Sequence, residues 1–217
     1  MATALRMILL PGTHCNDGSP GAMYLSPVPV KTFIGRTVWH IHLEGGGYCY
    51  DQENCESPAH GQYLESTRHR EQLIWKGGMF ARGVGSTPFL STAAHVYVGY
   101  CSSDSWMGNT SRTWRGKTWY FEGAHILATA VNTLLDHHGM KNAALVLFSG
   151  CSAGGRGTLY NLDGLCRLVR ASVPKVACAG LADAGQLWGG STLSESVEKC
   201  RKQRGWHPGA EFVEGGV

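Results

Sequence analysis

The 217-residue chain is 43% hydrophobic and 16% charged, which suits one folded domain with a real core and excludes a disordered protein. Its formal charge of +3 is spread over scattered residues (Arg68, Arg70, Lys76, Arg112, Arg115, Lys117) and gives no basis for nucleic-acid binding. No apolar run approaches the roughly 20 residues of a membrane span, and Met7–Leu10 before Pro11 is too short for a signal-peptide core.

In chain order, Val38–Leu43 (VWHIHL) is the first clear strand, and it runs into Glu44-Gly45-Gly46-Gly47. His95–Tyr100 (HVYVGY) is a second strand, followed by the polar Cys101-Ser102-Ser103-Asp104. Between 119 and 138, Phe121, Ile126, Leu127, Ala130, Val131, Leu134 and Leu135 fall at helical spacing, with Gly139 as the stop signal. Ala143–Phe148 (AALVLF) is a continuous apolar run, as expected of a strand buried on both faces. Leu159, Leu162, Leu165, Cys166 and Val169 then predict a helix, and Val176–Gly180 a further short strand. Strands alternating with helices predict an α/β fold with a mostly parallel central sheet. Ligand sites in such folds lie at the carboxyl ends of the strands, where Gly45–Gly47, Asp104, Ser152 and Asp183 all fall.

Eight cysteines without CxxC spacing argue for disulfides and an oxidising compartment rather than zinc. Cys49 and Cys55 can close a local loop, while Cys151 and Cys166 are expected to be small buried thiols. Asn109-Thr110-Ser111 is an N-glycosylation acceptor and agrees with secretion.

The stretch that carries chemistry is FSGCSAGGRG, residues 148–157. A Gly-x-Ser-x-Gly turn between a buried strand and a helix lifts its serine to the sheet edge beside free amide groups. Ser152 is therefore a candidate nucleophile, the bland alternative being a serine that caps the helix. A glycine-rich loop after an earlier strand completes the pattern, because backbone N–H groups can approach a developing oxyanion unobstructed there. His42–Cys49 (HLEGGGYC) fits that place, and it lacks the Lys-Ser/Thr ending of a phosphate loop.

His40 and His42 alternate on one strand without a third ligand, so they are expected to be strand histidines and no metal site is assigned. Asp104 either touches substrate or satisfies its own turn. Trp106, Trp114 and Trp119 fit core packing better than a ligand surface.

HLEGGGYCYDQENC (42–55) with GCSAGG (150–155), CNDGSPGAMYL (15–25), YCSSDSW (100–106) and GLADAG (180–185) together resemble the pectin acetylesterase/Notum carboxylesterase family. The resemblance covers about residues 15–188. It divides the chain into an N-terminal segment (1–14), an α/β-hydrolase-like portion (15–188) and a divergent, poorly ordered tail (189–217). It implies that Ser152 is the nucleophile, that the amides of Gly46, Gly47 and Ala153 form the oxyanion hole, and that Tyr48 lies beside the substrate. It also implies a secreted, disulfide-bonded monomeric esterase without cofactor. The expected substrate is an acylated polysaccharide such as pectin, with palmitoleoyl-protein deacylation as the alternative. The family's acid and histidine come downstream of the matched portion, so the chain is expected to be truncated at its C-terminus. In that case it is either an incomplete enzyme or a non-catalytic ligand-binding form. Asp183 and His207 follow Ser152 in the right order to replace them, although nothing in the sequence around His207 would hold an imidazole in place.

Overall fold

The computed structural model describes residues 1–27, 37–57, 65–83 and 90–185. The proposed tail and His207 lie outside the described residues. Nine strands and three α-helices are described: β1 (Thr3–Leu10), β2 (Gly21–Leu25), β3 (Thr37–Leu43), α1 (Gln52–Glu56), β4 (Leu73–Lys76), β5 (Ala94–Val98), β6 (Thr110–Trp114), β7 (Lys117–Phe121), α2 (Gly123–His137), β8 (Ala143–Cys151), α3 (Ala153–Ser172) and β9 (Ala177–Asp183).

Seven strands form one sheet in the order β4-β1-β2-β5-β3-β8-β9. The β5-β3-β8-β9 half is parallel, as the strand–helix alternation predicts. The β4-β1-β2-β5 half is antiparallel and was not legible in the sequence. Residues 3–10 are thus a sheet strand, and Cys15 beyond them is bonded to Cys101.

One face of the sheet carries the core. Trp39, Ile41 and Leu43 of β3, Val96 and Val98 of β5, and Val146 and Phe148 of β8 pack against the apolar stripes of α2 and α3. Each large apolar side chain buried this way stabilises the fold by about 1.5–3 kcal/mol before entropy is charged. The opposite face carries His40, His42, His95, Tyr97 and Ser149, with Leu145 and Leu147 only half-buried. The strand expected to be buried on both faces is therefore fully covered on one. Among the described residues the other face meets Met79, Phe80 and the Leu90–Ala93 segment, with the Lys76 ammonium over the Tyr97 ring.

The helical spacing from residue 119 overran a boundary. Residues 110–121 form a separate two-stranded hairpin, and α2 begins at Gly123. Gly139, with φ of 80°, stops α2 as expected.

The cysteine expectations need one correction. Cys49–Cys55 closes the predicted local loop, and Cys15–Cys101 and Cys166–Cys178 are also bonded. Cys166 is thus a bridge from α3 to β9, and Cys151 is an exposed free thiol. A buried-thiol assignment assumed that β8 stays covered to its end. In fact β8 emerges from the sheet where it turns into α3.

Candidate active site

β8 delivers Ser152 at the carboxyl end of the sheet, between the strand and the first turn of α3. Its backbone sits at φ 56°, ψ −119°. A non-glycine residue adopts that region only when its surroundings over-determine it, and such strain collects at functional sites. The constraint is visible. The Ser152 N–H donates to the Asp183 carbonyl at 2.9 Å, and the Ser152 carbonyl accepts from the Arg156 N–H at 3.0 Å. The side chain is exposed and makes no capping hydrogen bond, so the helix-cap alternative fails.

The flanking glycines are there because backbones cross without room for a side chain. A Cβ on Gly150 would lie 2.2 Å from the Gly154 carbonyl oxygen, and one on Gly154 would lie 2.1 Å from the Leu43 carbonyl oxygen. The glycine-rich loop lies over the same turn. A Cβ on Gly45 would come within 2.6 Å of the Cys151 carbonyl oxygen and 3.6 Å of Ser152 Cβ. The two glycine elements singled out in the sequence, residues 45–47 and 150–155, therefore meet through Gly45 beside Ser152, while a Cβ on Gly47 would meet nothing within 4 Å. Ala153, buried, opens α3 immediately after it.

Tyr48 follows the loop, 41% exposed, with the Arg156 guanidinium 4.6 Å from its ring centroid. The Cys49–Cys55 disulfide and the Cys49 N–H bond to the Ser103 carbonyl (3.0 Å) hold this stretch in place. Cys151, beside the serine, donates its S–H to the Asp183 carboxylate; burial first, and then that charge, push its thiol above the usual range.

Asp183 closes the end of β9, and its backbone supports the elbow. Among the described residues no histidine hydrogen-bonds the Ser152 hydroxyl. His42 and His40 instead both contact Ser149 Oγ, at 2.8 and 2.7 Å, and His40 Nδ1 lies 3.1 Å from His95 Nδ1. Among the described residues no group of three metal-ligating side chains converges.

Asp104 satisfies its own surroundings. Its carboxylate accepts from the Trp106, Gly108 and Gly123 N–H groups at 2.8–2.9 Å and from the Ser102 hydroxyl at 2.7 Å, fastening the start of α2. Burial pushes its pKa up despite these donors. Asp104→Ala orphans three backbone donors and is expected to cost about 3 kcal/mol or more. An unchanged urea midpoint would refute that role. Trp106 and Trp119 are buried, and Trp106 Nε1 donates to the Glu44 carbonyl at 3.0 Å. Both are packing residues.

Sequence reasoning missed Glu44, Arg70 and Arg156. Their charges are conspicuous in the sequence, but their burial depends on segments that meet only in three dimensions.

Comparison with known proteins gives the same region a family context. The pectinacetylesterase family model matches residues 2–203. The chain is 35% identical over 187 residues to the palmitoleoyl-protein carboxylesterase NOTUM of Homo sapiens, covering 83% of this chain and 36% of that protein. It is 36% identical over 173 residues to that of Schmidtea mediterranea (79% and 32%) and 31% identical over 177 residues to that of Drosophila melanogaster (79% and 26%). The chain thus spans about a third of the human relative's length and a quarter of the fly's.

Proposed function

The chain belongs to the pectinacetylesterase family, and from that premise we propose that it is the nucleophile-bearing part of a serine carboxylesterase that removes an acyl group from an oxygen ester. Its seven-stranded mixed sheet with flanking helices is consistent with an α/β-hydrolase-like fold. The observation that carries the proposal is the strained, exposed and uncapped Ser152 at the junction of β8 and α3.

In this proposal Ser152 Oγ adds to the acyl carbonyl carbon, and its proton passes to a base outside the described residues. The amides of Gly46, Gly47 and Ala153 stabilise the tetrahedral oxyanion, the alcohol leaves, and water cleaves the acyl-enzyme. Tyr48 lines the approach. The chemistry needs no cofactor. Three disulfides support an oxidising, extracellular setting. Asn109 is exposed just ahead of the β6–β7 hairpin and open to glycosylation.

The proposed substrate is an O-acetylated polysaccharide, with a long-chain acyl group on a protein as the alternative that the NOTUM similarity favours. A fluorophosphonate probe is expected to label the purified chain at Ser152, with Ser152→Ala unlabelled. Faster turnover of octanoyl than acetyl esters would overturn the acetyl choice. The lack of a histidine on the Ser152 hydroxyl among the described residues supports a second reading, a ligand-binding protein without turnover. A folded chain that takes no label would rule out turnover by this chain and favour that reading over the first.

A further inference from the structure

Glu44 opens the glycine loop, and it is fastened from every side. Its N–H donates to the Val98 carbonyl (3.1 Å), and its carbonyl accepts from Trp106 Nε1 (3.0 Å). Its carboxylate accepts from the Tyr100 N–H (2.7 Å), from the Tyr97 hydroxyl and from Arg70 Nη2 (2.7 Å). The Arg70 side chain is 7% exposed and also donates to the Tyr100 carbonyl at 2.6 Å. It lies against Gly99, where a Cβ would come within 3.3 Å of the guanidinium carbon. The same Glu44 touches the nucleophile helix, because a Cβ on Gly154 would also lie 2.9 Å from its carbonyl oxygen. One residue therefore joins the ends of β3 and β5, the glycine loop and the first turn of α3.

A carboxylate is a costly choice for this place. Amides that receive a developing oxyanion work best where no fixed negative charge opposes it. A partly buried acid next in sequence to those glycines opposes it unless a cation cancels its charge. Arg70 does so through a hydrogen-bonded, nearly buried contact. Burial works against its positive charge, but Glu44 outweighs that and raises its pKa.

We propose that Glu44 is the positioning residue of the glycine loop, and that Arg70 neutralises its carboxylate so that the loop can be clamped beside a developing oxyanion without opposing it. This rests on the esterase reading for its chemistry, but the clamp itself does not.

The test compares Arg70→Met, Glu44→Gln/Arg70→Met and Arg70→Lys in the full chain. It follows the rate of fluorophosphonate labelling at Ser152 together with amide hydrogen exchange at residues 45–48. Arg70→Met leaves the partly buried Glu44 charge without its cation and is expected to slow labelling on the order of tenfold and to speed exchange in the loop. Removing that charge in the double variant is expected to bring labelling back to within about threefold of the parent, which a purely structural lesion would not allow. Equal slowing in both variants, or parent-like labelling in Arg70→Met, would overturn the proposal. Should Arg70→Met fail to fold, Arg70→Lys decides, because it keeps the charge and is expected to label nearly as the parent does; a loss as large as tenfold there would refute charge cancellation. If the parent chain takes no label, the esterase reading of this chain fails. Loop exchange then decides the clamp alone, and exchange unchanged by Arg70→Met would overturn it.

Discussion

Gly154→Ala is expected to lower the thermal midpoint by roughly 10 °C and to abolish labelling at Ser152. The added methyl would meet the Leu43 carbonyl oxygen at 2.1 Å and its carbon at 2.8 Å, where ordinary contact begins near 3.4 Å. Neither side can yield cheaply. Glu44 is pinned through its N–H by Val98 and through its carbonyl by Trp106, and the α3 backbone is held by its own helix and by the Ser152–Asp183 bond at its start. Overpacking against side chains costs typically about 1–3 kcal/mol; against fixed backbone the upper end is expected. Gly164→Ala, in the same helix with nothing within 4 Å of its Cβ, is the control. It is expected to stabilise by about 0.5–1 kcal/mol, because alanine is the better helix former. Equal midpoints for the two variants, read by circular dichroism, would show that the crossing tolerates a side chain.

Acid is expected to unfold the chain well above the range where carboxylates titrate. Burial, and then neighbouring imidazoles, depress His40 to about 3; burial, and then Lys76, depress His42 to about 4; burial, and then Arg82, depress His95 to about 4. Each folded value lies below the ordinary 6.5, so the folded state holds these rings neutral while the unfolded chain protonates them. Their stabilisation is therefore complete above pH 6.5 and is lost as pH falls toward 4 and then 3. Each ring that protonates only on unfolding contributes about 1.4 kcal/mol per pH unit, so three together give about 4 kcal/mol per unit near pH 5.5. A domain with about 5–15 kcal/mol in total cannot absorb much of that. Urea midpoints at pH 7.5, 6.5 and 5.5 measure the slope; a flat profile would mean that the rings are already charged in the folded protein.

These histidines show where the sequence was informative and where it was not. Alternation along residues 38–43 placed His40 and His42 on one face of a strand, and the structure puts them there. Nothing local revealed that the face also carries His95 and Ser149, or that the rings share hydrogen bonds. The elbow was legible for the opposite reason. Its tight turn needs glycines at fixed spacing within one strand–turn–helix, and all three elements are contiguous. The loop of residues 44–47 was legible as a composition, but its contact with the elbow depends on β3 lying beside β8. The antiparallel half was missed because β2 and β4 are short, and β1, though eight residues long, is unevenly buried, so period-two alternation barely shows. Cys151 and Cys166 were misjudged because a thiol's fate depends on what it meets, and Cys178 reaches Cys166 only once β9 lies against α3.

The bond from the Ser152 N–H to the Asp183 carbonyl carries a consequence for biosynthesis. The strained serine is held partly by the last strand described, which the ribosome makes about thirty residues after the elbow. Until β9 docks beside β8, the turn lacks that restraint and its backbone is free to relax into an ordinary region. The backbone strain at Ser152 is therefore fixed by that bond only after residue 183 has been made and β9 has docked beside β8.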